Sequence, residues 1–302
     1  MSLRRKTLLS VFLALVMQAT IVEMSEAQPV WLLPEEDRAA FTLEILKPTL
    51  QGYYKEGIKF SSSVWFIGAR IPVSRQSALV FEIPFSHYDE DRSEDYPYYY
   101  WEYKAQNMIG NVFMGVEFGS SQSGVFGRIG VRPPTAPDNM TLGAAFYSWR
   151  TDYYRSNAFV PNVLSLSGFF GGRARFSSSP MQFRGGIGPT LCIITEDDAD
   201  PELYLKCFAQ LWYVGTGGKF GFGVSGNTLV TGEDLDFGEL VGLEFGFSGQ
   251  LVFGNLQPGI SLRVPITSGT IALDKAVGFV IGLNLSVAFG VPSQESESAW
   301  GR

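Results

Sequence analysis

The sequence predicts an all-β chain that folds as one transmembrane antiparallel up-and-down barrel of about twelve strands. Three observations predict it. Apolar and polar residues alternate with a period of two along most of the chain, which is the pattern of strands whose side chains face two different media. The alternating runs are longer than the roughly 5–6 residues usual in soluble strands, and they match the roughly 9–11 tilted residues that cross a bilayer. The connections between runs are by turns short and long, as they are in membrane barrels.

The chain opens with "MSLRRKTLLSVFLALVMQATIVEMSEAQPV". Arg4, Arg5 and Lys6 form a basic region, Leu8 to Val22 an apolar one, and Ser25 and Ala27 are small residues ahead of a cleavage point before Gln28. Residues 1–27 are therefore expected to be a cleaved signal peptide and 28–40 a periplasmic N-terminal segment. The barrel is expected over 41–290, with a flexible tail over 291–302. The whole chain carries a formal charge of −7, which argues against nucleic acid as a partner. No later stretch offers the ~20 uninterrupted apolar residues of a spanning helix.

The alternation places strands near 41–51, 61–72, 77–87, 105–118, 124–132, 162–176, 181–194, 202–214, 218–229, 239–253, 256–266 and 277–289. In "LQPGISLRVPIT", Leu256, Ile260, Leu262, Val264 and Ile266 share one face, whereas Gln257, Ser261 and Arg263 share the other. In 277–289, Phe279, Ile281, Leu283 and Leu285 oppose Gly282, Asn284 and Ser286. The turns agree with this parity, because "GN" opposes Phe253 to Leu256 and "SSSP" opposes Phe176 to Met181, all on apolar faces. Short turns fall on the side of both barrel ends, and long loops fall on the other, taken as the outside.

Charges on a membrane strand must face water or each other. Parity turns Arg70, Glu82, Glu117, Arg128, Arg132, Arg173, Arg175, Arg184, Lys219, Glu244 and Arg263 inward. These residues line a solute path whose basic excess favours anions, or they close into salt bridges that plug the barrel. The connection 133–161 is the longest and is expected on the extracellular side. Leu142, Ala145, Phe146 and Trp149 recur there at helical spacing. It could fold into the lumen, cap the rim or add two short strands.

The motifs "SALVFEIPFSHYD", "IGNVFMGVEFG" and "GVRPPTAPDN", with a final strand ending "SVAFG", resemble bacterial outer-membrane β-barrels of the porin-like transporter type. They are similar to families of outer-membrane transporters of phenol-degradation pathways. The resemblance covers most of the mature chain on motifs of a general kind. It implies passive passage of small hydrophilic or amphipathic solutes across the outer membrane of a Gram-negative-type bacterium. The implied partners are outer-membrane lipid and lipopolysaccharide, the barrel assembly machinery and the solutes themselves. One departure stands out: such barrels often end on an aromatic residue, whereas here "GVPSQESESAWGR" follows Phe289.

The remaining motifs have plainer readings. "HYDEDRSED" and "TEDDADPE" concentrate carboxylates but lack the glycine-punctuated spacing of a calcium loop, so they read as solvated loops, with no metal and no cofactor. "YPYYYWEY" reads as an aromatic girdle at the outer interface. Cys192 falls on the lumen parity and Cys207 on the lipid parity, so a disulfide between them would need a bulge. A surface hydrolase would use His87, the single histidine, but its neighbour Ser86 points to the opposite face. The chain is therefore read as a non-enzyme, with a non-conducting barrel bearing functional outer loops as the alternative to a channel.

Overall fold

The computed structural model describes residues 31–32, 38–51, 58–74, 76–89, 105–119, 124–139, 142–176, 179–195, 200–231, 241–266 and 277–289. The leader, the "YPYYYWEY" stretch, much of both acidic loops and the C-terminal tail lie outside them. The strands are β1 (Ala39–Leu50), β2 (Ser63–Pro72), β3 (Ser77–Tyr88), β4 (Gln106–Ile109), β5 (Phe113–Gly119), β6 (Val125–Arg132), β7 (Val163–Arg175), β8 (Met181–Ile194), β9 (Glu202–Val214), β10 (Gly218–Leu229), β11 (Val241–Leu251), β12 (Leu256–Pro265) and β13 (Val277–Phe289). Helix α1 (Leu142–Thr151) and a 3-10 segment (Tyr153–Phe159) lie between β6 and β7.

Each strand pairs antiparallel with its sequence neighbours, except that β4 and β5 both pair with β3, and β1 pairs with β13 from Ala39↔Phe289 to Leu50↔Val277. The sheet therefore closes into a twelve-position barrel with no free edge along its wall to template aggregation. Both barrel ends lie at one rim, where Arg38 Nη1 donates to Asn255 Oδ1 at 2.8 Å. The turns have the expected register: Phe253 bridges Leu256, and Phe176 N donates to Met181 O at 3.1 Å. Gly254 takes φ +60 in that first turn, a conformation open to glycine without steric cost.

The parity divides the side chains cleanly. Phe183, Phe222, Phe247, Ile260, Leu262, Ile281 and Leu283 stand exposed on the outside, a belt that hydrocarbon covers. Glu44, Arg70, Glu82, Arg184, Gln250, Gln257 and Arg263 are buried on the inside. Among the described residues no helix is long and apolar enough to cross a membrane. Cys192 is buried on the lumen side and Cys207 is exposed on the outside, and both are free thiols.

The fourth wall position, expected as one strand over 105–118, is broken in two. β4 pairs with the far half of β3 (Phe85↔Ile109) and β5 with the near half (Glu82↔Phe113). Between them the chain bends inward, and Asn111 N donates to Ala158 O at 2.6 Å. A Cβ on Gly110 would sit 2.1 Å from that same carbonyl, so only glycine allows the approach. The buried Asn111 then satisfies the freed backbone. Its Nδ2 donates to Asn157 O and Val160 O, and its Oδ1 accepts from Thr135 N and Ala136 N.

The insert, expected on the extracellular side at about 133–161, folds into the lumen. α1 packs Ala144 and Tyr147 against Leu46, Val64, Phe66, Tyr88 and Val280, on the β13–β1–β2–β3 side. Its buried face is Ala144, Tyr147, Ser148 and Thr151, rotated from the stripe that the spacing of Ala145 and Trp149 suggested. Ser148 Oγ donates to Ser86 Oγ at 2.6 Å and Tyr147 Oη donates to Ser62 O at 2.7 Å. A rim cap would have left these groups, and the charges below, without their wall partners.

Candidate functional site

The lumen has two unlike sides. On one side the insert is bound to the wall by ion pairs. Asp152 caps the 3-10 segment, accepting from Arg155 N at 3.1 Å, and Arg155 then reaches Asp152 Oδ2 at 2.6 Å and Glu82 Oε2 at 2.9 Å. Arg155 also pairs with Glu44 and lies 3.4 Å over the Phe66 ring. Arg263 pairs with Glu44 and with Asp152 Oδ2, the latter at 2.9 Å, and Arg132 pairs with Glu82. Three carboxylates thus meet three guanidiniums contributed by β1, β3, β6, β12 and the insert. Burial pushes the Asp152 carboxyl upward, but the Arg155 and Arg263 guanidiniums outweigh it and hold it below the ordinary carboxylate range.

The other side, β6 to β9, carries Arg128, Arg173, Arg184 and Lys206 toward the lumen, interleaved with aromatic rings. Arg128 lies 4.5 Å over Phe113 and Arg173 lies 5.3 Å over Phe126. Arg184 lies 5.0 Å over Phe126 and 4.9 Å over Phe208. Phe169 and Phe208 stack at 5.4 Å beneath them. Register makes Arg173 and Arg184 direct neighbours across β7 and β8. Such cation–aromatic contacts help to hold guanidiniums in place.

Between the two sides is a cavity of about 60 Å³. The insert borders it through Tyr154, Arg155 and Asn157, and the wall through Arg128, Arg132 and Lys206. Glu82 is its one lining carboxylate. Lys206 also donates to Tyr154 O, and Asn227 Nδ2 donates to Tyr153 O at 3.2 Å, tying the insert to β9 and β10.

The structure brings several of the sequence-chosen residues together. Arg132 meets Glu82, and Arg70 Nε meets Glu117 Oε1 at 2.7 Å. Lys219 donates to Gln257 at 3.1 Å. Arg263 finds its partners in Glu44 and Asp152, and Glu244 accepts instead from Ser225 Oγ at 2.6 Å and from the Trp31 indole at 2.9 Å.

Sequence reasoning missed Glu44, Lys206, Asn111, Asp152, Arg155 and Trp31. Glu44 and Lys206 have lumen parity and were legible. The segment expected in the periplasm instead puts Trp31 and Leu32 inside the barrel, both buried. The Trp31 ring belongs to the cluster of Phe126, Phe169 and Phe208, and a Cβ on Gly246 would sit 2.7 Å from it. Ser86 and His87 make separate contacts: Ser86 meets Ser148 inside the barrel, and His87 Nδ1 lies 2.8 Å from Asn107 Oδ1.

No family model matches the chain, and no curated protein matches it by sequence. Solved structures do match. An outer-membrane channel from Pseudomonas putida F1 is 12% identical over 87% of this chain and 100% of its own, with a TM-score of 0.58. LpxR from Salmonella typhimurium (11% identity, 83% and 100% coverage) and the transport unit of the autotransporter AIDA-I from Escherichia coli (8%, 91% and 97%) give TM-scores of 0.46 and 0.41. The first of these likenesses carries the fold, that of an outer-membrane β-barrel.

Proposed function

We propose that this protein is an outer-membrane channel for passive passage of small hydrophilic or amphipathic solutes, favouring anions, with the insert as its gate. One observation carries the reading. The β6–β9 wall turns Arg128, Arg173, Arg184 and Lys206 toward the lumen, and Arg128 and Lys206 line the cavity between that wall and the insert. A charged wall in a narrow lumen of low dielectric acts across its whole width and selects by sign. On this reading the chain is exported by its cleaved leader, and the rim holding both barrel ends faces the periplasm. Its partners are lipid, lipopolysaccharide, the barrel assembly machinery and the transported solutes.

The ion-pair lock favours a second reading, a barrel that conducts nothing. The two separate in a planar bilayer. Arg155→Gln, which loosens the insert from Glu44 and Glu82 on the wall, raises open probability over wild type, and the reversal potential in a salt gradient favours the anion. A barrel that stays silent in both forms while remaining folded overturns the channel reading. Ser86 and His87, on opposite faces of β3, give the hydrolase alternative no nucleophile–base pair, and no enzyme is proposed.

A further inference from the structure

We propose that the outward face of β1 to β4, near the outer rim, binds the phosphorylated sugar headgroup of an outer-leaflet glycolipid, with Lys47 holding the phosphate. The proposal rests on the orientation given above, in which the rim holding both barrel ends faces the periplasm. It deepens that reading by giving the lipopolysaccharide partner a site.

The argument begins with one exception to the parity. In the described strands Lys47 is the one lysine, arginine or carboxylate side chain that turns outward, between the buried Leu46 and Pro48 of β1. A charge on a lipid face is costly at hydrocarbon depth and is tolerated where polar groups meet it. Strand rise and tilt lift Lys47 about 20 Å above Ala39, close to the upper edge of an apolar belt about 25 Å tall. Its ammonium is met by the Phe60 carbonyl and lies 3.4 Å over the Phe60 ring, both uncharged.

Neighbouring strands extend Lys47 into a polar row. Leu46 pairs with Val64, which sets Lys47 beside Ser63; Ser63 pairs with His87, and His87 with Asn107. His87 Nδ1 lies 2.8 Å from Asn107 Oδ1. The next outward row toward the periplasm is Ile45, Trp65, Phe85 and Ile109. Trp65 and Phe85 meet edge to face at 6.3 Å, and the Trp65 indole donates to Ser63 Oγ at 2.8 Å. An indole with its ring among apolar side chains and its N–H turned to a polar row marks the boundary between acyl chains and headgroups.

The row has the chemistry of a phosphorylated sugar's partner. The lysine supplies a positive point charge for phosphate, and Ser63, His87 and Asn107 supply donors and acceptors for hydroxyls. Three interstrand steps make the row about 14 Å long, the span of a sugar headgroup rather than of a lone phosphate. Phe60, 88% exposed, and the Ile45–Ile109 row offer the acyl chains an apolar bed. Lys59 and Asp89 pair with each other at 3.3 Å beside the row, so together they add no net charge to it.

The test uses the full-length mature barrel in detergent, titrated with lipopolysaccharide, with bound lipid counted by native mass spectrometry. Wild type retains one copy saturably. Lys47→Gln weakens binding at least tenfold, and Asn107→Ala weakens it severalfold. The same glycolipid stripped of its phosphates binds wild type and Lys47→Gln alike, because the group that the lysine holds is gone. Phosphatidylglycerol, an anionic lipid without sugars, does not displace the bound copy. Orientation is read separately by thiol labelling of Asp138→Cys, at the rim where Gln106 of β4 donates to Asn139 O, with Cys192 and Cys207 replaced by alanine. Intact cells are expected to label from outside.

Equal binding of lipopolysaccharide by wild type and Lys47→Gln overturns the site. Displacement by an equal concentration of phosphatidylglycerol overturns the glycolipid as its ligand. Labelling only after the outer membrane is permeabilised overturns the outer-leaflet placement. None of these readouts involves conductance. A barrel that binds the glycolipid but never conducts sinks only the channel reading, and a conducting barrel without Lys47-dependent binding sinks only this one.

Discussion

The two sides of the lumen are built from the same side-chain types and arranged to opposite effect. Where the insert meets β1, β3 and β12, every guanidinium among Arg132, Arg155 and Arg263 has a carboxylate within ion-pair distance. Along β6 to β9, Arg128, Arg173 and Arg184 lie over phenylalanine rings. A balanced network fixes a position, because removing any one member leaves a buried charge uncompensated. The first side explains why the insert stays in the barrel, and the second turns cationic side chains toward the remaining space.

Breaking the balanced side has the largest expected effect. Arg263→Met leaves Glu44 and Asp152 short of a counter-charge and is expected to cost about 3–5 kcal/mol in unfolding of the reconstituted barrel. A change below roughly 1 kcal/mol, the value typical of exposed ion pairs, would mean that water reaches the network and that it locks nothing. A smaller effect sharpens the boundary between the sides, where Trp31 bridges them from Glu244 to the phenylalanine cluster. Trp31→Phe keeps a ring but removes the indole N–H, so it should cost about 1.5–3 kcal/mol, as a hydrogen bond to a charged acceptor does. If urea unfolding shows no difference, the indole hydrogen bond contributes nothing to seating this segment.

How much of this was legible in the sequence follows from what a period of two encodes. Parity tells which face a side chain occupies, and it placed Arg70, Glu117, Arg184 and Arg263 inside the barrel and Cys207 outside it. It also set the turn at Phe253 and Leu256. Parity says nothing about partners across the lumen, since those depend on how the closed sheet brings β1 opposite the insert. Glu44 has the lumen parity, but its role is visible only once Asp152 and Arg155 arrive from a segment more than a hundred residues away. The direction of the insert was open for the same reason: helical spacing predicts α1 but not the surface on which it docks. The break at Gly110–Val112 and the entry of Trp31 carry no periodic signal. Each is fixed by a close approach that a glycine permits, at Gly110 and at Gly246.

The central claim, that the β6–β9 wall sets the sign of what passes, is tested most directly by charge reversal on that wall alone. Arg184→Glu leaves the ion pairs of Glu44, Glu82 and Asp152 untouched, so the barrel assembles and the insert keeps its place. In a planar bilayer under a salt gradient, with Arg155→Gln present to hold the gate loose, the reversal potential should move from anion-favouring toward cation-favouring. Unchanged selectivity, in a barrel that conducts as well as its Arg184 parent, would contradict the account.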